Sequence, residues 1–175
     1  IILLTSIPCF AQSSKKNKPS DDRREYEFNY AFMEANRQKM LGNTEDAIAL
    51  YLKCLHIDPR SAASMFEISS LLYQLNKSEE AIPLMKQAVK YNPKNMYYAS
   101  LLGTLYKATG SAKDAIKIYQ NLARQFPQMP DFLYEVAQLY AYQNNYQKAL
   151  DAYNQLESQF GINESISLEK ENIYF

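Results

Sequence analysis

Apolar and small side chains recur along this chain at intervals of three and four residues, with polar side chains between them. This spacing places the apolar side chains along one face of an α-helix. It predicts four consecutive pairs of helices. The predicted first helices cover residues 26–41, 61–75, 95–109 and 130–143, and the predicted second helices cover residues 45–57, 79–91, 112–125 and 146–159.

A period of 34 residues runs through the pattern. It separates Pro59 from Pro93 and Pro93 from Pro127, and each proline closes one unit because it cannot continue the preceding helix. A fixed period over several units is typical of repeat proteins, in which each unit packs on its neighbours. Two sets of small residues follow the same period, which predicts close helix crossings: Ala35, Ser69, Gly103 and Ala137 in the first helices, and Ala47, Ala81, Ala115 and Ala149 in the second.

Turn-forming residues separate the two helices of each pair. Gly42 and Gly110 can adopt the left-handed backbone conformation that ends a helix. Thr44, Ser78 and Ser111 are predicted to cap the following helices by accepting hydrogen bonds from free backbone N–H groups.

The third unit resembles the tetratricopeptide repeat, with Leu102-Gly103, Tyr106, Ala115, Tyr119 and Pro127 at the spacing of that family. The resemblance implies an all-α, right-handed α-solenoid. It divides residues 25–163 into four repeats, at 28–61, 62–95, 96–129 and 130–163, and makes residues 164–175 the first helix of a truncated fifth repeat.

The first residues differ from the repeats in composition. Residues 1–11 are mostly apolar, end in Cys9-Phe10-Ala11, and resemble the end of a secretory signal peptide. Residues 12–24 are polar and charged, which predicts a disordered linker. We therefore expect a periplasmic or secreted protein, without stable membrane insertion because the apolar run is far shorter than the ~20 residues that span a bilayer. An outer-membrane lipoprotein modified at Cys9 is less favoured, since Pro8 precedes the cysteine.

Charge and residue usage narrow the function. The 19 Lys and Arg residues balance the 19 Asp and Glu residues, so nucleic acid is not expected as a partner. The only histidine, His56, lies two residues from Cys54, and residues two apart on a helix do not share a face. Glycine-rich phosphate loops and zinc-ligand spacings are absent from the sequence. We expect a protein that is not an enzyme and that uses no cofactor or metal.

In the tetratricopeptide repeat family the first helices line a concave groove that holds a segment of a partner. The resemblance therefore implies a protein–protein interaction scaffold that binds a protein or peptide segment. We call the positions that it assigns to this surface the groove. They are polar or aromatic, with little net charge: Asn29, Phe32, Asn36, Lys39, Met40, Phe66, Ser70, Tyr73, Gln74, Tyr97, Ser100, Thr104, Lys107, Asp131, Tyr134, Gln138 and Tyr142.

Two further expectations concern partners. Tyrosines can stack on sugar rings, so a carbohydrate- or cell-wall-binding module that uses the same groove is the alternative function. Chaperone-binding members of the family hold a carboxylate with lysines and asparagines, but Phe32, Ala63 and Tyr97 occupy such positions here, which excludes that role. Self-association is expected through the uncapped C-terminal end, where half a repeat leaves apolar side chains exposed or loosely docked: Ile166, Leu168, Ile173, Tyr174 and Phe175.

We predict that the chain is exported and cleaved before Gln12. Mass spectrometry of the N-terminus of the protein from its native host should find Gln12 as the first residue. Recovery of cytosolic protein with Ile1–Ala11 intact would contradict this prediction, and a diacylglyceryl mass on Cys9 would favour lipidation instead.

Overall fold

The structure, a computed structural model, describes residues 21–162 and 164–174 of the chain, and these ranges are helical apart from short turns. Each helix packs mainly on the helices next to it in the sequence. The predicted all-α repeat fold is confirmed. The helices are α1 Asp21–Met40, α2 Thr44–Ile57, α3 Ala62–Gln74, α4 Ser78–Tyr91, α5 Met96–Ala108, α6 Ala112–Gln125, α7 Pro130–Tyr142, α8 Tyr146–Phe160 and α9 Glu164–Tyr174.

The start of α1 differs from the sequence prediction, whereas the other ends of α1–α8 agree to within one residue. Helix α1 begins at Asp21, so residues 21–24 of the predicted linker 12–24 are helical. Acidic residues in the first turn favour a helix start, and Arg23 pairs with Glu27 one turn later at 3.0 Å. Arg24 also donates a hydrogen bond to the carbonyl of Ile57 at 2.8 Å. The rest of the linker and the predicted signal peptide lie outside the described residues.

The four turns within the helix pairs share one backbone geometry. In the first, the N–H of Asn43 donates to the carbonyl of Gln38 at 3.0 Å, which satisfies a carbonyl at the end of α1. The two predicted glycines have the expected positive φ, and two asparagines at the same phase of the repeat were missed. Asparagine tolerates this conformation better than most residues do. The φ values are 80° at Gly42, 59° at Asn76, 72° at Gly110 and 57° at Asn144.

The predicted side-chain caps at Thr44, Ser78 and Ser111 are wrong. Thr44 and Ser78 are already the first residues of α2 and α4, and the side chain of Ser111 accepts no capping hydrogen bond. The left-handed turn leads directly into the next helix. The backbone of the residue before that helix is therefore not extended, as a side-chain cap requires it to be. Such caps form instead between repeats, where Ser61 and Asn95 are extended and accept bonds from the starts of α3 and α5.

The small residues of the first helices lie at close crossings, as predicted. Ala35, Ser69 and Ala137 have no exposed surface. Gly103 is also buried, and a Cβ atom added to it would lie 2.8 Å from the ring of Tyr119 on α6. Since real Cβ atoms do not approach a ring so closely, any larger residue here requires a shift of the Tyr119 ring or of the two helices.

Helix α9 covers part of the last repeat. Ile166 is 7% exposed and packs into the core cluster of α7 and α8, so the expectation that it is exposed or loosely docked is wrong. Lys170 pairs with Glu157 of α8 at 2.8 Å, which helps to hold the helix in place. Leu168 and Tyr174 are exposed, and Phe175 lies outside the described residues. Self-association through this end stays a prediction.

We predict that Gly103→Leu destabilises the array by about 1–3 kcal/mol, because overpacking at the crossing must displace Tyr119 or separate α5 from α6. Urea unfolding followed by circular dichroism measures the loss. The control is Lys113→Leu, which adds an apolar side chain at an exposed position and should cost less than about 0.5 kcal/mol. Equal losses for the two variants would contradict the close crossing.

Candidate partner-binding groove

Two ion pairs join consecutive first helices along the groove. Lys39 Nζ lies 2.7 Å from Glu67 Oε2 and links α1 to α3. Lys107 makes the corresponding pair with Glu135 and links α5 to α7. Both groove lysines are therefore neutralised by glutamates that the sequence analysis did not select. A glutamate 28 residues after each lysine is the signal that could have identified them.

The hydroxyl groups of two tyrosines on the second helices contact groove side chains on the first helices. The hydroxyl of Tyr51 on α2 donates to Asn36 Oδ1 at 2.7 Å, and the hydroxyl of Tyr119 on α6 lies 3.1 Å from Thr104 Oγ1. Burial raises the pKa of Tyr119 to about 12, so this side chain stays protonated at neutral pH. Both bonds hold polar groove side chains in place on the surface of the first helices.

Tyr153 on α8 has the same position in repeat 4 but lacks this bond. Its side chain is completely buried, and its hydroxyl has no hydrogen-bond partner among the described residues. Gln138 stands at the position of Asn36 and Thr104, yet it does not bond to the hydroxyl. Burial raises the pKa of Tyr153 as well, so the hydroxyl is a buried neutral group without a hydrogen-bond partner on the described part of the chain.

Three of the groove aromatics pack mainly within the fold. Phe32 meets Tyr51 edge-on at 5.4 Å between ring centroids, and Phe66 lies 5.1 Å from Tyr98. Tyr134 meets the ring of Tyr153 at 5.9 Å. All three groove side chains are half-buried, so their first role is to seal the core beneath the surface.

The other large groove side chains face solvent. Met40 is 86% exposed, Tyr97 65%, Tyr142 76% and Tyr73 40%. Among the smaller members, Asn29, Gln74 and Asp131 are exposed, whereas Ser70 and Ser100 are half-buried. The backbone carbonyl of Ser100 accepts a hydrogen bond from Thr104 Oγ1 at 3.2 Å. The accessible part of the groove is thus aromatic and polar, and Asp131 is its exposed charge without an ion-pair partner among the described residues.

The residues with chemical reactivity lie apart from the groove. Cys54 is fully buried, its sulfur is 3.9 Å from the carbonyl of Phe28, and burial raises the pKa of its thiol. His56 is exposed. Within residues 21–162 and 164–174, no group of three or more His, Cys, Asp or Glu side chains could hold a metal ion. The same ranges contain no helix with the length and apolar character needed to cross a membrane.

The sequence of this chain matches the family described as tetratricopeptide repeat three times, at residues 32–96, 66–130 and 100–161. No curated protein sequence matches this chain significantly. The family match covers most of the chain and extends from the second half of α1 to the end of α8.

Solved structures similar to this one share its fold at low sequence identity. A MamA protein is 19% identical, with a TM-score of 0.71 over 77% of this chain and 73% of its own. A tetratricopeptide repeat protein from Parabacteroides merdae is 17% identical, with a TM-score of 0.74 over 82% of this chain and 57% of its own. YrrB, described as a TPR protein with an unusual peptide-binding site, is 18% identical, with a TM-score of 0.55 over 81% of this chain and 90% of its own.

We predict that substitution by phenylalanine changes the stability of the protein differently at the equivalent Tyr119 and Tyr153. Tyr119→Phe should destabilise the protein by about 0.5–1.5 kcal/mol, because it removes a hydrogen bond to Thr104. Tyr153→Phe should be neutral or stabilising, since it removes a buried hydroxyl without a partner. Urea unfolding measures both, and each variant serves as the control for the other because the ring is kept. A loss at Tyr153 as large as that at Tyr119 would contradict the assignment.

Proposed function

The chain belongs to the tetratricopeptide repeat family, and we propose that it is a non-catalytic scaffold that binds an extended segment of a partner protein in the groove. The exposed side chains of Met40, Tyr73, Tyr97 and Tyr142 carry this proposal. Met40, Tyr73 and Tyr142 lie at the C-terminal ends of α1, α3 and α7, and Tyr97 lies at the N-terminal end of α5. They offer large contact surfaces to a partner, although apolar and aromatic side chains are the ones most readily buried. The likeness to YrrB, whose described feature is a peptide-binding site, supports a role of this class.

The charges of the groove define the chemistry of the segment. Lys39 and Lys107 already interact with glutamates, so neither is free to hold an acidic partner. Tyrosine offers a wide, rigid ring and a hydroxyl that can exchange hydrogen bonds with a peptide backbone. We therefore propose that the segment is uncharged and rich in apolar and polar side chains. Because few charges take part, its affinity should depend weakly on salt.

A carbohydrate ligand is the second candidate, and the exposure of Tyr97 and Tyr142 favours it. Both rings are more than half exposed and could stack on a sugar. For either ligand we propose that the protein acts in the periplasm or outside the cell. That location rests on the apolar residues 1–11.

We predict that Tyr97→Ala and Tyr142→Ala each weaken partner binding about fivefold or more, as expected for exposed aromatic residues that anchor an interface. The experiment is a pull-down from extracellular and envelope extracts, with the captured protein quantified by mass spectrometry and its affinity then measured with the purified partner. A rise from about 50 to 500 mM salt should change the affinity less than about twofold.

Tyr91→Ala is the matched control, since Tyr91 is a 43% exposed tyrosine at the end of α4 and not in the groove. Equal losses for Tyr91→Ala and the groove variants would contradict the proposed site. Binding on a glycan array that Tyr97→Ala abolishes, with no protein captured, would select the carbohydrate function instead.

A further inference from the structure

The seams between consecutive second helices are filled to different extents. In the first seam, Leu55 of α2 and Leu84 of α4 pack against the same core clusters. One repeat later, Val89 and Ile118 occupy these two positions and line a cavity of about 50 Å³. In the third seam the two positions are alanines, and the cavity becomes a cleft of about 630 Å³ lined by Ala123 and Ala152.

This cleft lies on the opposite side of α7 from the groove. Its wall on α7 is formed by Leu133, Val136 and Tyr140. Tyr134 and Gln138, which belong to the groove, lie about 150° around the helix from the middle of that wall at 3.6 residues per turn. The cleft is therefore a second candidate site, separate from the proposed peptide-binding surface.

The cleft has a preformed apolar floor. Val136 is 2% exposed and Ala152 7% exposed, so the floor belongs to the packed interior. Gln120 Nε2 donates to the hydroxyl of Tyr140 at 3.0 Å and fixes the ring as a side wall. The exposed ring of Phe160 lines the cleft from the end of α8. A volume of this size lies within the range of about 300–1,000 Å³ found for binding sites.

The rim of the cleft is positively charged. Arg124 and Lys148 are both exposed, and neither forms an ion pair with another described residue. Lys148 Nζ lies 5.4 Å from the centre of the Tyr140 ring, beside the apolar floor. Asp151 also lines the cleft, and the hydrogen bond that it accepts from the neutral amide of Gln147 leaves its charge in place, so these three charged side chains carry a net charge of +1. A ligand that fits the cleft therefore combines an apolar group with a negative charge.

We propose that this cleft docks a helix of a partner protein through one leucine- or isoleucine-sized side chain flanked by glutamates or aspartates. The leucine, valine and isoleucine side chains that fill the other seams define the shape of the missing group. A helix that lies over the seam between α6 and α8 would place its flanking carboxylates near Arg124 and Lys148. The rim is open to solvent, which suits a protein surface better than a small ligand that must be largely enclosed.

The test uses helical peptides of about 15 residues that differ only around one position. One peptide carries leucine flanked by glutamates, the second carries leucine flanked by lysines, and the third has alanine in place of leucine. Binding is followed by fluorescence anisotropy and by the NMR signals of the Ala123 and Ala152 methyl groups. We expect the first peptide to bind with shifts at both methyls, and the other two to bind at least about tenfold more weakly.

Variants of the protein locate the interaction. Ala152→Ile restores the residue type found at Ile118 and should weaken binding of the first peptide at least about tenfold, with an equal or higher melting temperature. Ala49→Ile, at an exposed position of α2, should leave binding unchanged. The double variant Arg124→Glu with Lys148→Glu should bind the lysine-flanked peptide more tightly than the glutamate-flanked one. If Ala152→Ile does not fold, Ala123→Val tests the same point.

Two outcomes would overturn the proposal. One is the absence of methyl shifts with all three peptides, or unchanged affinity in the folded Ala152→Ile or Ala123→Val protein. The other is binding of decanoate at the same methyl groups without binding of any peptide, which would identify the cleft as a site for small amphiphilic anions.

Discussion

The close crossing of the two helices in each repeat is the constraint on which the rest of the molecule depends. At Gly103 the missing side chain lets the ring of Tyr119 lie against α5. Because the ring crosses there, its hydroxyl reaches Thr104 on the groove side of the same helix. Ala35 and Tyr51 repeat the arrangement in the first helix pair, where the hydroxyl reaches Asn36. In these two repeats the same close crossing therefore fixes both the core and a polar side chain of the groove.

The ion pairs along the groove change its surface charge more than they stabilise the fold. The Lys39–Glu67 and Lys107–Glu135 pairs are partly exposed, and pairs of this kind contribute only about 0–1 kcal/mol. Their larger effect is on the charge of the groove surface, because they cancel the positive charges of Lys39 and Lys107. The cleft has the opposite character, since Arg124 and Lys148 keep their charges free. The two faces of the array thus differ in the chemistry that they offer.

The sequence predicted what the repeats share and missed what differs between them. The 34-residue period placed the ends of α2–α8 to within one residue, because proline, glycine and apolar spacing recur in every unit. The side-chain caps failed because the left-handed turns leave no extended residue in front of α2 or α4. The 34-residue period gives the position of Tyr153 in its repeat but not the hydrogen-bond partners of its hydroxyl, so the unpaired hydroxyl could not be predicted. The cleft was visible only as two alanines at positions held elsewhere by larger residues, and a search for common features passes over such a difference.

The alanines at the third seam also affect how the array bends. In a linear array each unit is held by its neighbours alone, so stiffness is set locally at every junction. The leucines of the first seam resist compression of the outer face, whereas the space between Ala123 and Ala152 allows α6 and α8 to approach each other. Movement of these two helices toward each other would spread the neighbouring first helices apart on the other side of α7. The third seam thus has less packing than the second to oppose a change in the distance between its two second helices.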